Sequence, residues 1–338
     1  MTLAPEQLAR LRRAKLAALV RDLGGDPGGP VDVGTSAASI SDGRAWVLVP
    51  SGSAGALAGA LLWCERAGAH SLTLFVDADA DAPTVARWTG YFGLGAGAIS
   101  VRSVDGATSN EAMASPVPEP VAVPDIPDEL LDQLRDADVE IVVEHGYVRG
   151  EVLGLEVARL VRWPTEVGGD GELHLEAGVG RFDRDAVAAA RPDEAPAESL
   201  ARTVAQVRAH RYPGAPVHAV QLLVRERWLR SMVVEDPQLV GASQLVATEM
   251  TTEATGLRDV HPAAAVGTDP DGGPVVVVCS TGVDLSLVPL AADTRRRLDP
   301  DARLVLALPA RDHHGATRTL VELLRGSAEL VDVAPGWG

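Results

Sequence analysis

The sequence predicts an α/β protein with a Rossmann-like parallel three-strand unit at each end and an antiparallel α+β segment inserted between the two. Short apolar runs alternate with helical patterns at both ends of the chain, as they do in doubly wound parallel sheets. The second run of elements repeats the order of the first, which indicates a structural repeat. Between them the hydrophobic pattern alternates residue by residue, which is typical of half-buried antiparallel strands.

The N-terminal part contains one helix and the first unit. Residues 1–40 are predicted to form a helix over 3–23 that ends at Gly24 and Gly25, followed by a loop. Residues 41–112 form the first Rossmann-like unit, in which the strands "AWVLVP", "SLTLFVDADAD" and "AISVRSV" are separated by helical patterns. Residues 113–127, "MASPVPEPVAVPDIP", are a proline-rich linker.

The middle segment, residues 128–262, begins with a helix near Asp128 and continues as strands that bend at Gly146 and Gly154. "ELHLEAGVG" is a further strand, and helical patterns follow it. Residues 263–338 form the second Rossmann-like unit, where "PVVVVCSTG" leads into an amphipathic helix. The two units are expected either to complete one sheet or to form two facing lobes, with ligands bound beyond the carboxyl ends of the strands.

Composition and charge narrow the classes of protein. The chain of 338 residues is 46% hydrophobic and 23% charged, as is usual for globular proteins that bury a core. A formal net charge of −17 disfavours nonspecific binding to nucleic acid and to anionic membranes. No apolar run is long enough to span a membrane, no signal peptide is recognisable, and the two cysteines lie in apolar segments. We therefore expect a cytoplasmic protein with no membrane partner.

Two polar loops at strand ends are the first candidate binding site. A helix that starts after such a loop offers unpaired N–H groups and a positive dipole to a phosphate or carboxylate. Neither loop has the G-x-G-x-x-G spacing or a Walker lysine, and close packing of helix on strand explains the same residue types. The hypothesis is a nucleotide or other small anionic ligand at the strand-end crevice. The residues predicted to bind it are Ser51, Gly52, Ser53, Asp77, Ser280, Thr281 and Asp284.

Acidic residues on the middle strands suggest an alternative, a Mg²⁺ site formed by Glu151, Glu156 and Glu176. The order of helix, three strands and helix resembles the core of PD-(D/E)XK nucleases. That resemblance implies a diverged nuclease or phosphodiesterase, with Glu151 as the second-strand acid and Glu176 as the acid of the motif. Gly178 stands where the catalytic lysine of that motif would be. The competing interpretation is the solvated face of a half-buried strand.

Arginines are concentrated after the middle strands, in a segment whose aromatic residues are Tyr212 and Trp228. Such a patch could hold a phosphate backbone or an acidic ligand, although the net charge disfavours nucleic acid. It could equally pair with carboxylates of the same chain, of another copy in a homo-oligomer, or of a protein partner, as in a non-catalytic scaffold or interaction module. The members of the patch are Arg202, Arg208, Arg211, Arg225, Arg227 and Arg230.

Three longer stretches carry a resemblance that covers most of residues 45 to 335. "GEVLGLEVARLV", "HLEAGVGRFDRDA" and "VVVVCSTGVDLSLVPLAADTR" are similar to a family of uncharacterised actinobacterial α/β proteins. The resemblance implies no activity and transfers no catalytic residue. Whether the protein is an enzyme, and with which cofactor, is therefore left open by the sequence.

Overall fold

The computed structural model describes residues 4–77, 82–95, 97–164, 170–191, 193–254 and 256–337. These residues form helices and three sheets, two of which contain parallel strand pairs, so the protein has an α/β fold. The chain divides into two compact units. Unit 1 comprises residues 1–117, 283–296 and 313–328, and unit 2 comprises residues 118–282, 297–312 and 329–338.

The helices and strands are numbered in chain order. The α-helices are α1 (Pro5–Asp22), α2 (Ala54–Arg66), α3 (Ala82–Thr89), α4 (Asp128–Asp136), α5 (Gly180–Ala190), α6 (Pro196–Arg208), α7 (Arg225–Glu235), α8 (Leu287–Leu298) and α9 (Gly315–Glu322). The strands are β1 (Val31–Val33), β2 (Ser36–Ser41), β3 (Arg44–Val49), β4 (Ser71–Asp77), β5 (Ile99–Asp105), β6 (Thr108–Glu111), β7 (Glu140–Glu144), β8 (Tyr147–Val152), β9 (Leu155–Pro164), β10 (Asp170–Ala177), β11 (Gln244–Thr248), β12 (Ala263–Thr268), β13 (Pro274–Cys279), β14 (Arg303–Leu308) and β15 (Ala328–Asp332).

Unit 1 is built on one sheet in the order β1 to β6. The pairs β3–β4 and β4–β5 are parallel, and the strands on either side pair antiparallel. Helix α1 covers this sheet with Leu16 and Leu19, which belong to one apolar cluster with Trp46 and Phe75. Ser53 caps α2, because its Oγ accepts a hydrogen bond from the backbone N–H of Ala56 at 3.1 Å.

Unit 2 contains two sheets. One has the order β10-β9-β8-β7 and is antiparallel throughout. The other has the order β11 to β15, with β13 and β14 parallel and β11–β12 and β12–β13 antiparallel. Leu200 and Val204 of α6 pack with Leu155 and Leu175 against the first sheet, while Trp228 and Leu229 of α7 lie in the apolar cluster of the second.

Several predicted features need correction. β3 and β13 lie in different sheets, so the two ends of the chain do not complete one sheet. In both sheets that contain parallel pairs the strand order follows the chain order, so neither contains a reversal of strand order, the place where ligands usually bind beyond the strand ends of doubly wound sheets. Within the range 263–338, β13 and β14 belong to unit 2 whereas most of α8 and all of α9 belong to unit 1, and the predicted domain boundaries stay a prediction. No helix among the described residues is long and apolar enough to cross a bilayer.

Candidate functional site

The site of interest begins with charged side chains on the antiparallel sheet of unit 2. Strands β7, β8 and β9 are joined by two tight hairpins in which His145-Gly146 and Leu153-Gly154 all have positive φ. Such residue pairs match the right-handed twist of the strands. The hairpins place the carboxylates of Glu144 on β7 and Glu151 on β8 in the interior of the unit, where both are buried.

An irregularity in strand pairing adds a third carboxylate and two arginines. The register between β8 and β9 shifts between Gly150 and Glu151, which leaves one additional residue on β9. The shift interrupts the simple alternation of faces, and Glu156 and Arg159, three residues apart, form a bidentate pair with Nε–Oε1 at 3.2 Å and Nη2–Oε2 at 2.7 Å. Arg149, on the neighbouring strand, approaches Glu156 Oε2 at 3.3 Å through its Nε.

Helix α7 supplies two further arginines, Arg227 and Arg230, which lie one turn apart on the same face. Arg230 pairs with Glu144 and with Glu151, the latter at 2.7 Å. Arg227 reaches the same two carboxylates at 2.9 and 3.2 Å. Arg230 and Glu151 are both 0% exposed, so this pairing compensates charges that would otherwise be very costly to bury.

The two groups of charges are joined through Arg149. Its guanidinium contacts Glu144 at 2.6 Å and Glu253 at 3.4 Å in addition to Glu156. Arg184 of α5 also pairs with Glu156, and its Nε lies 3.6 Å from Glu176. The result is one connected set of arginines and glutamates, contributed by four strands, two helices and the segment around Glu253.

A cavity of about 540 Å³ opens on one side of this set, and we call it the arginine cavity. Among the residues that the structure describes, five arginines and two glutamates line it, together with small and apolar residues. Its wall therefore carries an excess of positive charge, whereas the whole chain has a formal charge of −17. The lining residues are Arg149, Glu156, Arg159, Val179, Gly180, Arg181, Arg184, Val224, Arg227, Glu253, Ala254, Gly256 and Leu257.

The pKa shifts describe the balance of burial and pairing in this set. Burial lowers the pKa of Arg149, and the neighbouring Arg227 and Arg159 lower it further against the opposing effect of Glu144. Burial disfavours the charged form of Glu144, but Arg230, Arg227 and Arg149 outweigh it and lower the pKa of Glu144 to about 2. The buried carboxylate of Glu144 is thus well compensated, whereas burial and the neighbouring arginines disfavour the charged form of Arg149 despite its contacts with Glu144, Glu156 and Glu253.

One lining residue has an unusual backbone conformation. Val224, immediately before α7, has φ 40° and ψ 52°, the left-handed region that β-branched residues rarely enter. Its backbone carbonyl accepts hydrogen bonds from the N–H groups of Arg227 and Trp228, and its own N–H donates to the carbonyl of Leu257 at 3.3 Å. Val224 immediately precedes the first turn of α7, and both Val224 and Arg227 of that turn line the cavity.

The three glutamates predicted to bind Mg²⁺ pair with arginines in the structure. Glu151 and Glu156 are opposite each other on β8 and β9, but each is paired with its own arginines, and Glu176 pairs with Arg184. Arginine charges thus take the place that a cation would need. Among the described residues, no group of three or more His, Cys, Asp or Glu side chains could hold a metal ion.

The loop residues predicted to bind a nucleotide are divided between the two units. In unit 1, Asp77 pairs with Lys15 at 2.6 Å and Asp284 accepts a hydrogen bond from the N–H of Ser286 at 2.8 Å. Ser51 and Gly52 precede Ser53, the cap of α2. In unit 2, Ser280 is buried and Thr281 donates to Glu226 at 2.6 Å. These contacts give Asp77, Ser53, Thr281 and Asp284 local structural roles, and the binding hypothesis for the loops stays a prediction.

The predicted arginine patch is used inside unit 2. Arg202 pairs with Glu194, Arg208 with Asp138, and Arg225 lies 5.6 Å from the centre of the Trp337 ring. Buried Arg211 donates to the backbone carbonyls of Leu153, Val220 and Leu223 and lies over Trp228. With Arg227 and Arg230 in the charge set above, every member of the patch has a partner within the chain, which was one of the interpretations considered.

No family model, no curated protein and no solved structure matches the chain. The resemblance to an actinobacterial family therefore stays a prediction. The interpretation of the site depends on its own geometry.

The sequence interpretation missed most of the arginine cavity. Arg149, Arg159 and Arg184 were not selected, although the first two lie on the same predicted strands as the selected glutamates. Their position on the same strands as those glutamates made an ion pair within the sheet worth considering. Glu253 and Arg181 carry no comparable signal, because neither belongs to a motif and both reach the cavity only through the fold.

Proposed function

We propose that the protein binds a small anionic ligand in the arginine cavity of unit 2. The observation that carries the proposal is the excess of arginine over glutamate on the wall of a cavity of about 540 Å³. Guanidinium groups match carboxylates and phosphates in planar, bidentate geometry, and they remain charged at any physiological pH. An anion placed there would meet several guanidinium groups at once.

Energetics also favour a ligand over a purely structural role. Buried ion pairs contribute little net stability compared with well-packed apolar residues, so a cluster of them is weak evidence for stabilisation. Arg149 in particular has a lowered pKa because burial and neighbouring cations disfavour its charge. A bound anion would compensate that charge, which gives these arginines a use that packing alone does not provide.

The backbone around the cavity supports the same ligand class. Helix α5 begins at Gly180, and both Gly180 and Arg181 line the cavity, so the positive end of the helix dipole faces it. The volume lies within the roughly 300–1,000 Å³ typical of small-molecule sites. Nucleotides are among the ligands that we consider.

We also propose a Rossmann-like character for the parallel strands β3 to β5 of unit 1. A cytoplasmic location is proposed as well, and the buried free thiols of Cys64 and Cys279 are consistent with it.

A matched pair of variants tests the proposal. Arg159 and Arg202 are alike: they are 21% and 23% exposed, and each makes a bidentate pair with one glutamate at nearly the same distances. Only Arg159 lines the arginine cavity. A thermal-shift screen of phosphate, pyrophosphate, nucleotides and di- and tricarboxylates would be run on the wild type, on Arg159→Gln and on Arg202→Gln.

We expect at least one oxyanion to raise the melting temperature of the wild type and of Arg202→Gln, with a much smaller shift in Arg159→Gln. Loss of a charge-assisted bidentate contact should weaken binding by roughly one to two orders of magnitude. Equal shifts in both variants would remove Arg159 from the site. The absence of a shift with every oxyanion would contradict the proposed function.

A further inference from the structure

We infer that the ligand of the arginine cavity combines an oxyanion head with an apolar body, an inference that depends on the proposed function and specifies its ligand class. The lining residues include two groups of opposite character. One is formed by arginines that share a carboxylate, and the other by apolar side chains that belong to the core of unit 2.

The arginine surface is compact. Arg149, Arg159 and Arg184 all pair with Glu156, so their guanidinium groups lie within the reach of a single carboxylate. An arrangement in which several guanidinium groups surround one oxyanion is already realised there by a protein side chain. A second oxyanion, carried by the ligand, would use the hydrogen-bond donors of these groups that face the cavity.

The apolar residues of the lining are close to one another. Val224 and Leu257 are joined by a backbone hydrogen bond of 3.3 Å, and Leu257 and Val179 pack against the apolar cluster to which Val224 belongs. Gly180 keeps this surface closed: it has φ +73°, and a Cβ there would approach Leu257 Cδ1 to 2.7 Å. The absence of a side chain at Gly180 therefore allows Leu257 to lie against the start of α5.

The size of the cavity also favours a ligand with an apolar body. The cavity volume of about 540 Å³ is typical of sites for drug-sized organic molecules rather than for a bare inorganic ion. A ligand that contacts only the arginines would leave the surface of Val179, Val224 and Leu257 against water. A phosphate or a carboxylate attached to an alkyl or aromatic body would cover both surfaces.

The test is a titration series with a constant head and a growing body. Alkyl phosphates and alkyl carboxylates from methyl to octyl would be titrated calorimetrically into the intact protein, with alkylammonium ions and alcohols of the same chain lengths as controls. Each added methylene that becomes buried should tighten binding roughly fourfold, until the cavity is filled. The two acid series distinguish a phosphate source from a carboxylate source.

Variants of the lining residues show which of them contact the oxyanion head of the ligand and which contact its apolar body. Leu257→Ser should reduce the gain per methylene in both acid series, and the nearly isosteric Val179→Thr should do the same to a smaller extent. Arg159→Gln should weaken every member of the acid series by a similar factor. Circular dichroism and unfolding curves of each variant establish that it folds.

Each outcome has a defined meaning. If acids bind but affinity does not depend on chain length, the apolar body is wrong and the proposed anion site stands. If alcohols or alkylammonium ions bind as tightly as the acids, the oxyanion head is wrong. If no acid binds, the proposed function fails and this inference fails with it.

Discussion

Unit 1 and unit 2 each bury arginine against carboxylate, but the two regions differ in what the arginines face. In unit 1, Arg87 holds Asp293 of α8 through Nε at 2.9 Å and Nη2 at 3.2 Å. Its Nη1 donates to Ser115 at 2.5 Å and to the carbonyl of Pro116 at 2.8 Å, and Tyr91 donates to Asp293 at 2.7 Å. Every nitrogen of this guanidinium has a specific acceptor within the unit.

In unit 2 the ratio of arginines to carboxylates differs between the buried ion pairs and the wall of the arginine cavity. Within the buried set, glutamates and arginines alternate and compensate each other. On the wall of the arginine cavity, the described residues include more arginines than glutamates. Buried ion pairs thus occur in both units, whereas the unequal share of arginine on the wall of the arginine cavity is the observation behind the proposed anion site.

Arg230→Met, in unit 2, is expected to cause the largest loss of unfolding free energy. This change leaves Glu144 and Glu151 buried with fewer cations, and removal of one partner from a buried pair typically costs about 3–5 kcal/mol of unfolding free energy. Alkylation of the two buried thiols reports unfolding of each unit separately, because Cys64 belongs to unit 1 and Cys279 to unit 2. Burial raises the pKa of both thiols to about 12, so both react slowly while they stay buried.

We expect alkylation of Cys279, in unit 2, to become much faster in Arg230→Met, while alkylation of Cys64, in unit 1, stays close to the wild-type rate. Urea unfolding would give the matching loss of free energy. A loss below about 1 kcal/mol would mean that the buried set does not depend on Arg230 for charge compensation.

Acid should weaken unit 2 through Glu144. The folded-state pKa of Glu144 is about 2, below the ordinary value of 4.5, so its stabilising effect is fully present above pH 4.5 and is lost as the pH falls through 2. The effect amounts to about 3 kcal/mol at most. The stability difference between wild type and Glu144→Gln, measured by urea unfolding from pH 6 to pH 2.5, should narrow over this range, and a constant difference would contradict it.

A smaller effect is expected in unit 1 from Asp293→Asn, which removes the charge but keeps an oxygen for Arg87. We expect a loss of about 2 kcal/mol in unfolding free energy and faster alkylation of Cys64. Asp132→Asn, in an exposed pair with Arg135, is the control and should change stability by less than about 0.5 kcal/mol. Binding of oxyanions should be unchanged in both variants. A large loss of oxyanion affinity in Asp293→Asn would contradict the assignment of the anion site to unit 2 alone.

The smallest effect concerns Glu253 at the edge of the arginine cavity. Its side chain is 49% exposed and lies 3.4 Å from Arg149, so Glu253→Gln removes a negative charge from the wall at little structural cost. Affinity for pyrophosphate, measured by calorimetry at low salt, should rise about threefold and the gain should shrink as salt is added. Glu129→Gln, an exposed acid on α4, should have no such effect; an unchanged or lower affinity in Glu253→Gln would argue against an anion in this cavity.

The sequence predicted much of the unit 2 framework and little of its charge pattern. The bends at Gly146 and Gly154 and the start of α4 at Asp128 are confirmed, because turn glycines and amphipathic spacing are local signals. Strands β2, "SAASIS", and β12, "AAAVGT", were missed, since small residues give weak strand patterns and pairing with β3 and β13 decides their conformation.

The site was harder to predict for two physical reasons. The register shift between β8 and β9 changes which residues share a face, so Glu156 and Arg159 cannot be matched by simple alternation. Arg184, Arg227 and Arg230 come from helices far along the chain, and only the tertiary fold brings them to the glutamates. Glu151, Glu156 and Glu176 were therefore selected as metal ligands without the arginines that pair with them.

The most direct test of the central claim is to locate an anion in the protein. Crystals soaked in tungstate, an oxyanion with strong anomalous scattering, would show where an oxyanion binds. We predict an anomalous peak inside the arginine cavity, within hydrogen-bonding distance of the guanidinium groups of Arg149, Arg159 or Arg184, and no such peak in Arg159→Gln. Peaks confined to the outer surface, with the cavity filled only by water, would contradict the account.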